Sequence, residues 1–364
     1  MKYNTLTVML VGAATLALGA CSSDDDNNQP ANPTNAIEFN VTVPGSRAVT
    51  STTSISAFKV WAFVPSNSNP LFMNGVEVTR PLTGGNWSYS PVMYWPVDKA
   101  VNFYSISPAI KTTTSPNQGT EDIPGYVNDG TTDLLYAVTM NQVRDETQNA
   151  QAVKLNFRHA MSRILFNLQR LERPESPIQV EVDKVEIINI NSVGTFVYPR
   201  ETTAPLNESK VVGNWAENTI TTPRSYTIYD GESVELTDNY KPIPKEEVTE
   251  GRVEFAIPQT LTPSTVSADG QTYGGAYVRV FCSIYDENTG VKLWPGKEVP
   301  GYDEQSGNAY IYFPLCGENA VYKKWEIGKA YAYNLTVDIP SSTSTTIEFD
   351  VTVDEYPEFT GTDL

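Results

Sequence analysis

Apolar side chains recur at every second position along most of this chain, and that period of two restricts it to strands. Ile37, Phe39, Val41 and Val43 alternate with polar residues, Phe58, Val60 and Ala62 follow suit, and Val101 and Phe103 flank Tyr104 in the same way. Val180 and Val182, then Val185 and Ile187, then Ile188 and Ile190 continue through small slips of phase, as do Tyr277, Arg279 and Phe281 beside Cys282. Successive side chains of a strand point to opposite faces, so this spacing lays one apolar face against a core. A surface helix needs a period of 3.6, and no long amphipathic stretch of that kind stands out. The 23 Gly and 25 Pro punctuate the alternating runs as turns do. The chain is expected to be all-β and built as sandwiches.

One segment tempts a helical reading. Val153, Leu155, Phe157, His159 and Met161 share one parity, whereas Ile164, Phe166 and Leu168 share the other. A slip of phase inside a strand is what a β-bulge produces, so two strand halves joined near Ser162-Arg163 are predicted. About 330 residues follow the polar N-terminal stretch, too many for one small core, which makes two domains the natural division. The polar run from Asp145 to Gln151 puts the boundary near 150, giving an N-terminal β-sandwich over 36–150 and a C-terminal one over 151–364.

Residues 1–20 read as a signal peptide: Lys2 is followed by an uncharged apolar stretch from Leu6 to Leu18 that ends in Gly19-Ala20. A membrane span would need about 20 apolar residues in a row. Leu18-Gly19-Ala20-Cys21 resembles the bacterial lipobox, in which the cysteine thiol takes a diacylglyceryl group and becomes the new N-terminus. Cys21 is thus the expected lipidation site, and several acyl chains at about 0.8 kcal/mol per buried CH₂ would anchor the mature chain in the outer membrane. Ser22-Ser23-Asp24-Asp25-Asp26 is similar to the acidic export tag of surface lipoproteins. Residues 21–35 carry no large apolar side chain and are expected to form a flexible tether.

The formal charge of -18 with scattered Lys and Arg argues against nucleic acid and anionic membrane surfaces as partners. No HExxH, CxxC, GxSxG, P-loop or GxGxxG occurs, so no enzyme, metal or cofactor is expected. Paired carboxylates for glycoside hydrolysis stay open, because spacing along the chain does not report distance in a sandwich. His159, the single histidine, sits on the apolar parity of a predicted strand and reads as a structural group. Asn128-Asp129-Gly130-Thr131-Thr132-Asp133 lacks the DxDxDG order of a calcium loop and reads as a turn. Cys282 and Cys316 would share an oxidising compartment; a disulfide between them and two separate buried thiols both fit. Trp95 and Trp325 read as core or edge packing, while 20 Tyr and 6 Trp leave room for a sugar-stacking platform.

From about residue 36 onward the chain resembles the fimbrillin family, the type V pilus subunits of Gram-negative anaerobes. Four stretches carry the resemblance: Tyr94-Trp95-Pro96 with Val101-Asn102-Phe103-Tyr104, Leu155 to Ser162, Ile257-Pro258-Gln259, and Gly328 to Leu335. It implies two tandem transthyretin-like β-sandwich domains and a lipoprotein route to the cell surface. It further implies trimming by an arginine-specific protease after the first strand, and assembly in which the vacated groove takes a C-terminal strand from the neighbouring subunit. The matching cut lies between Arg47 and Ala48, in a Gly/Ser segment of the kind proteases reach. Other pilin subunits, that protease, the outer membrane and a host or bacterial surface receptor are the partners implied.

The residues add one observation of their own. Ile37-Glu38-Phe39-Asn40-Val41-Thr42-Val43 and Ile347-Glu348-Phe349-Asp350-Val351-Thr352-Val353 differ only at Asn40 against Asp350. Ile37, Phe39, Val41 and Val43 therefore match Ile347, Phe349, Val351 and Val353 as fillers of one groove, and closure of its own domain by the second copy is the competing reading. Eleven residues follow Val353, fewer than the extension of the family's shaft subunits, which leaves polymerisation open. The alternative is a surface glycan-binding or adhesin lipoprotein that does not polymerise. An aromatic platform on an exposed face would favour that alternative; a groove along the N-terminal sheet would favour the pilin.

Overall fold

A computed structural model describes residues 35–42, 55–81, 85–109, 122–144, 152–204, 211–243, 254–266, 273–316 and 323–340, together with the backbone of 349–355. The alternation becomes strands throughout, and the only helical element among these residues is the 3₁₀ turn Glu217–Thr219.

An antiparallel sheet of five strands runs in the order β3 (Leu71–Thr79), β2 (Ala57–Phe63), β4 (Val101–Ser107), β6 (Leu135–Gln142) and β8 (Arg158–His159). Beside it β1 (Phe39–Thr42) pairs in parallel with β7 (Val153–Asn156). A seven-stranded sheet is organised on β10 (Ile178–Val197), which lies between β17 (Tyr277–Asp286) and β12 (Thr221–Glu235). The last residues of β10 pair with β5 (Asp122–Val127) and β11 (Asn214–Trp215), while β17 carries β18 (Lys292–Trp294) and β19 (Ala309–Pro314). In the second five-stranded sheet β9 (Ser162–Arg170) and β20 (Lys329–Val337) run parallel at the centre. There β13 (Lys241–Ile243) and β14 (Phe255–Ala256) lie along β9, and β21 (Phe349–Glu355) lies along β20. β15 (Thr265–Val266) and β16 (Tyr273–Gly274) form a separate antiparallel pair.

Three cores lie in series because two of these sheets are apolar on both faces. One face of the first sheet, with Phe58, Val60 and Phe103, packs with Ile37, Phe39, Val153 and Leu155 in an N-terminal core. Its other face, with Trp61, Tyr104 and Tyr136, meets Phe196, Tyr198 and Trp215 in a central core that also holds Ala330 and Ala332. On the same strand β20, Tyr331, Tyr333 and Leu335 point the other way into the C-terminal core. Small residues on one face and large ones on the other let β20 serve both layers.

The phase slips read in the sequence have separate structural causes. In β10 the register shifts between Val182 and Lys184 and again between Ile187 and Ile190, where Asn189 takes a φ of 62°. These are bulges of the expected kind. The slip before Ser162 is different and corrects the sequence reading: it is not a bulge within one strand. Parity does switch between Phe157 and Ile164, but the chain leaves β7 and β8 and enters β9 of another sheet. Residues 157–162 are all buried because they thread between layers. Strand pairing crosses position 150 in both directions: β7 and β8 join β1 and β6, and β5 joins β10.

Candidate functional site: the seat of the first strand

Residues 35–42 lie in a slot with two unlike walls. On one side β7 pairs in parallel, Phe39 beside Val153 and Val41 beside Leu155, and Val153 N donates to Glu38 O at 2.7 Å. Phe157 N donates to Thr42 O at 2.9 Å at the far end. On the other side the chain around Trp95 closes the slot: Ile37 N donates to Met93 O at 2.9 Å and Trp95 N to Asn35 O at 2.8 Å. Tyr89 adds a hydroxyl that donates to Ile37 O at 2.7 Å, and burial raises its pKa above the ordinary tyrosine value.

The alternation of this strand is realised as written. Ile37 and Phe39 are buried, Val41 is half-buried, and Glu38, Asn40 and Thr42 are exposed. The Phe39 ring meets Phe58 edge-on at 5.7 Å and Phe103 edge-on at 6.0 Å, with Tyr89 at 5.7 Å on a tilt. Such edge-to-face pairs add about 0.5–1.5 kcal/mol each beyond area burial. Burying Ile37 and Phe39 contributes about 1.5–3 kcal/mol apiece on transfer grounds. The strand is thus an integral part of the N-terminal core, yet it belongs to neither five-stranded sheet.

The second copy of the motif is seated elsewhere. β21 pairs antiparallel with β20 of the same chain, with Phe349, Val351 and Val353 in register opposite Leu335, Tyr333 and Tyr331. Val43 and Ile347 lie outside the described residues, as do Cys21, Arg47 and Ala48. Cys282 and Cys316 are both buried, and neither is in a disulfide. Cys282 stands opposite Ala309, and Cys316 lies seven residues further along that strand's path. At about 3.3 Å per residue this separation is far beyond disulfide reach. Burial raises the pKa of both thiols, which keeps them protonated and inert.

The other residues singled out in the sequence take structural places. His159 Nδ1 lies 2.9 Å from Asp133 Oδ2, with the imidazole buried. Asp129 Oδ1 accepts from Thr131 N and Thr132 N, both at 2.8 Å, and these bonds outweigh partial burial to hold its pKa below the usual value. The segment is a turn closed on itself. Trp325 is fully buried and its Nε1 donates to Tyr333 Oη at 2.8 Å, while Trp95 is 8 % exposed. A cleft of about 410 Å³ is lined by Asp133 and Glu254, and each carboxylate already has a partner, Asp133 the His159 ring and Glu254 the Arg163 guanidinium at 2.5 Å. Among the described residues no group of His, Cys, Asp or Glu is arranged to hold a metal, and no helix is long and apolar enough to cross a membrane. Sequence reasoning missed Tyr89 and Met93 as the second wall of the slot. Their one signal in the sequence is proximity to Tyr94-Trp95-Pro96.

Comparison with known proteins agrees with this architecture. The fimbrillin-like family profile matches residues 46–355, and the chain belongs to that family. A fimbrial protein from Bacteroides vulgatus ATCC 8482 has a similar structure, with a TM-score of 0.55 at 14 % identity, over 88 % of this chain and 99 % of that one. The fimbrial anchor protein Mfa2 from Porphyromonas gingivalis aligns over 88 % of this chain and 97 % of its own, at 10 % identity and a TM-score of 0.33. No curated protein sequence matches the chain.

Proposed function

We propose that this chain is a structural subunit of a cell-surface fimbria, carried to the outer membrane as a lipoprotein on Cys21. Cleavage by an arginine-specific protease between Arg47 and Ala48 frees the first strand, and the vacated seat accepts a strand from a neighbouring subunit. The observation that carries this reading is the slot itself. Residues 35–42 fill a hydrophobic groove between β7 and the Trp95 segment, and their departure takes no strand from the five- or seven-stranded sheets. Membership of the fimbrillin-like family supports the same reading.

In this proposal 36–150, completed by β7 from across the boundary, holds the seat, and the rest of 151–364 offers the last strand. Among the described residues β21 has β20 as its one partner, so it sits at an edge, where release disrupts least. The partners are other fimbrial subunits, the processing protease and a receptor on a host or bacterial surface. A second reading, a lipoprotein adhesin that does not polymerise, draws on the pairing of β21 within its own chain.

N-terminal analysis of the protein recovered from cells tests the proposal. An Ala48 start, leaving 317 residues (364 minus 47), is expected. Arg47→Ala should retain the lipidated Cys21 start and lose the high-molecular-weight ladder on a gel. A ladder equal to wild type in that variant would sink the cleavage step.

A further inference from the structure

The seven-stranded sheet buries one face in the C-terminal core, and its other face carries a second aromatic array. Tyr277, Arg279 and Phe281 of β17 alternate with the core residues Val278 and Val280, as Tyr310 and Tyr312 of β19 alternate with Ile311 and Phe313. None of the five belongs to the three core clusters, but Tyr277 is buried at 8 % exposed, whereas Arg279, Phe281, Tyr310 and Tyr312 are half-buried. Their rings form a continuous strip: Tyr277 to Tyr312 at 5.7 Å, Tyr312 to Tyr310 at 6.3 Å, and Tyr310 to Phe281 at 4.9 Å between centroids. Strand positions outside a core ordinarily carry charged or small polar residues, and a run of half-buried rings there points to a partner.

The strip is built around a fixed polar centre. Arg279 Cζ lies 4.3 Å from the Tyr310 ring centroid, and its Nε donates to Glu186 Oε2 at 2.8 Å. Tyr310 Oη donates to the same oxygen at 3.0 Å, and Lys184 Nζ bridges Glu186 at 3.6 Å and Asp230 at 3.1 Å. Burial first, then the charge of Glu186, push the Tyr310 hydroxyl up to about 12, so it stays a donor at neutral pH. The Glu186 side chain is 10 % exposed, whereas that of Arg279 is 30 % exposed and makes its side-chain hydrogen bond through Nε alone. Its two Nη groups remain as donors in the middle of the strip.

This combination selects a chemistry. An apolar protein surface laid over the strip would leave those guanidinium donors unmet, which costs about 1–3 kcal/mol or more. A charged ligand finds no field to read, because Arg279 and Lys184 are balanced by Glu186 and Asp230 on a chain whose overall charge is -18. A pyranose offers both halves of the match: a C–H face for the rings and hydroxyls for the guanidinium. We infer that the half-buried strip Tyr312–Tyr310–Phe281 around Arg279, backed by the buried Tyr277, is a binding platform for a neutral carbohydrate chain, separate from the first-strand seat.

Saturation-transfer NMR on the purified subunit tests this, with the methyl glycosides of glucose, galactose, mannose and N-acetylglucosamine as probes and methyl glucuronide as the charged control. Transfer to the C–H protons of at least one neutral probe is expected. Tyr312→Ala should weaken binding about tenfold, and Arg279→Gln should weaken it by a similar factor. Tyr94→Ala, an exposed tyrosine on a different part of the fold, should leave it unchanged. Absence of transfer to all four neutral probes, transfer to the glucuronide alone, or full binding in the Tyr310→Ala/Tyr312→Ala double variant would each overturn the assignment. Should the double variant lose its native melting transition, Tyr312→Leu decides, since it keeps apolar bulk without an aromatic face; undiminished binding there also overturns it. The readout is made on the isolated subunit, so its result is independent of whether Arg47 is cut.

Discussion

Two stretches of this chain are nearly the same in sequence and are held in opposite ways. The first copy, residues 37–42 of the motif, lies in a closed slot, parallel to β7 on one side and hydrogen-bonded to the Met93–Trp95 segment on the other. The second copy runs antiparallel along β20 and has no strand on its outer side among the described residues. An in/out code of four apolar residues specifies a strand with one greasy face. It does not specify direction or neighbours, because both parallel and antiparallel ladders accept the same alternation. What distinguishes the two places is the surroundings. The slot adds a second wall of backbone partners and three aromatic rings, whereas the edge offers a single ladder.

That difference predicts unequal costs of disruption. Phe39→Ala should be the most damaging change, because it removes three ring contacts and leaves a cavity in the N-terminal core. Substitutions of this kind cost about 3–5 kcal/mol. With an unfolding entropy of roughly 2 cal/mol/K per residue over the roughly 250 described residues, this lowers the melting temperature by about 6–10 °C. A thermal scan of the isolated subunit measures it, and a shift under about 2 °C would show that the slot tolerates an empty position.

Removal of the second copy should cost less. Truncation after Pro340 deletes β21, but the freed groups of β20 become an edge that water satisfies. Ordering seven residues itself costs about 1–2 kcal/mol each, which offsets much of what the ladder contributes. A folded subunit with a smaller loss of melting temperature than Phe39→Ala is the expected outcome. If the truncated chain fails to fold, β21 is structural in its own chain and the donated-strand proposal loses this segment.

The reach of the sequence can be judged from the same residues. Strand positions were legible wherever one face is buried and the other wet, as at 37–42 and 178–190, because burial on one side leaves a period-two signature. Where both faces are buried the pattern told less. β4 was legible as a strand from Val101 and Phe103, but its burial on both faces from Val101 to Ser107 was not, and residues 157–162 are buried without alternation. A position between two cores carries no in/out contrast, so the central core linking Trp61 and Tyr104 to Phe196 and Trp215 had no pattern of its own. The slot was half legible: the strand that fills it was evident, but the wall formed by Tyr89 and Met93 depends on pairing between distant segments. The β17 half of the aromatic strip was legible as the shared parity of Tyr277, Arg279 and Phe281, but not which face it lies on nor that Tyr310 and Tyr312 stand beside it, since both rest on which strands are neighbours.

The finest test uses the one position at which the two copies differ. Asn40 is exposed in the slot and stands beside Lys154, also exposed, in the parallel register; Asp350 stands opposite Asn334 along β20. A neighbour's strand entering the slot in the same direction and register would bring Asp350 beside Lys154, an opposite-charge pair that the resident strand lacks. Asn40→Asp creates this pair within a single subunit. Cross-strand ion pairs at exposed positions contribute about 0.2–1 kcal/mol and weaken with salt, so the melting temperature should rise by about 1 °C at low ionic strength and return to the wild-type value at high salt. Combining Asn40→Asp with Lys154→Ala should abolish the rise. A fall in melting temperature from Asn40→Asp alone would mean that the slot reads residue 40 differently from the pattern shared by the two copies, and the second copy would then fit the slot less well than the first.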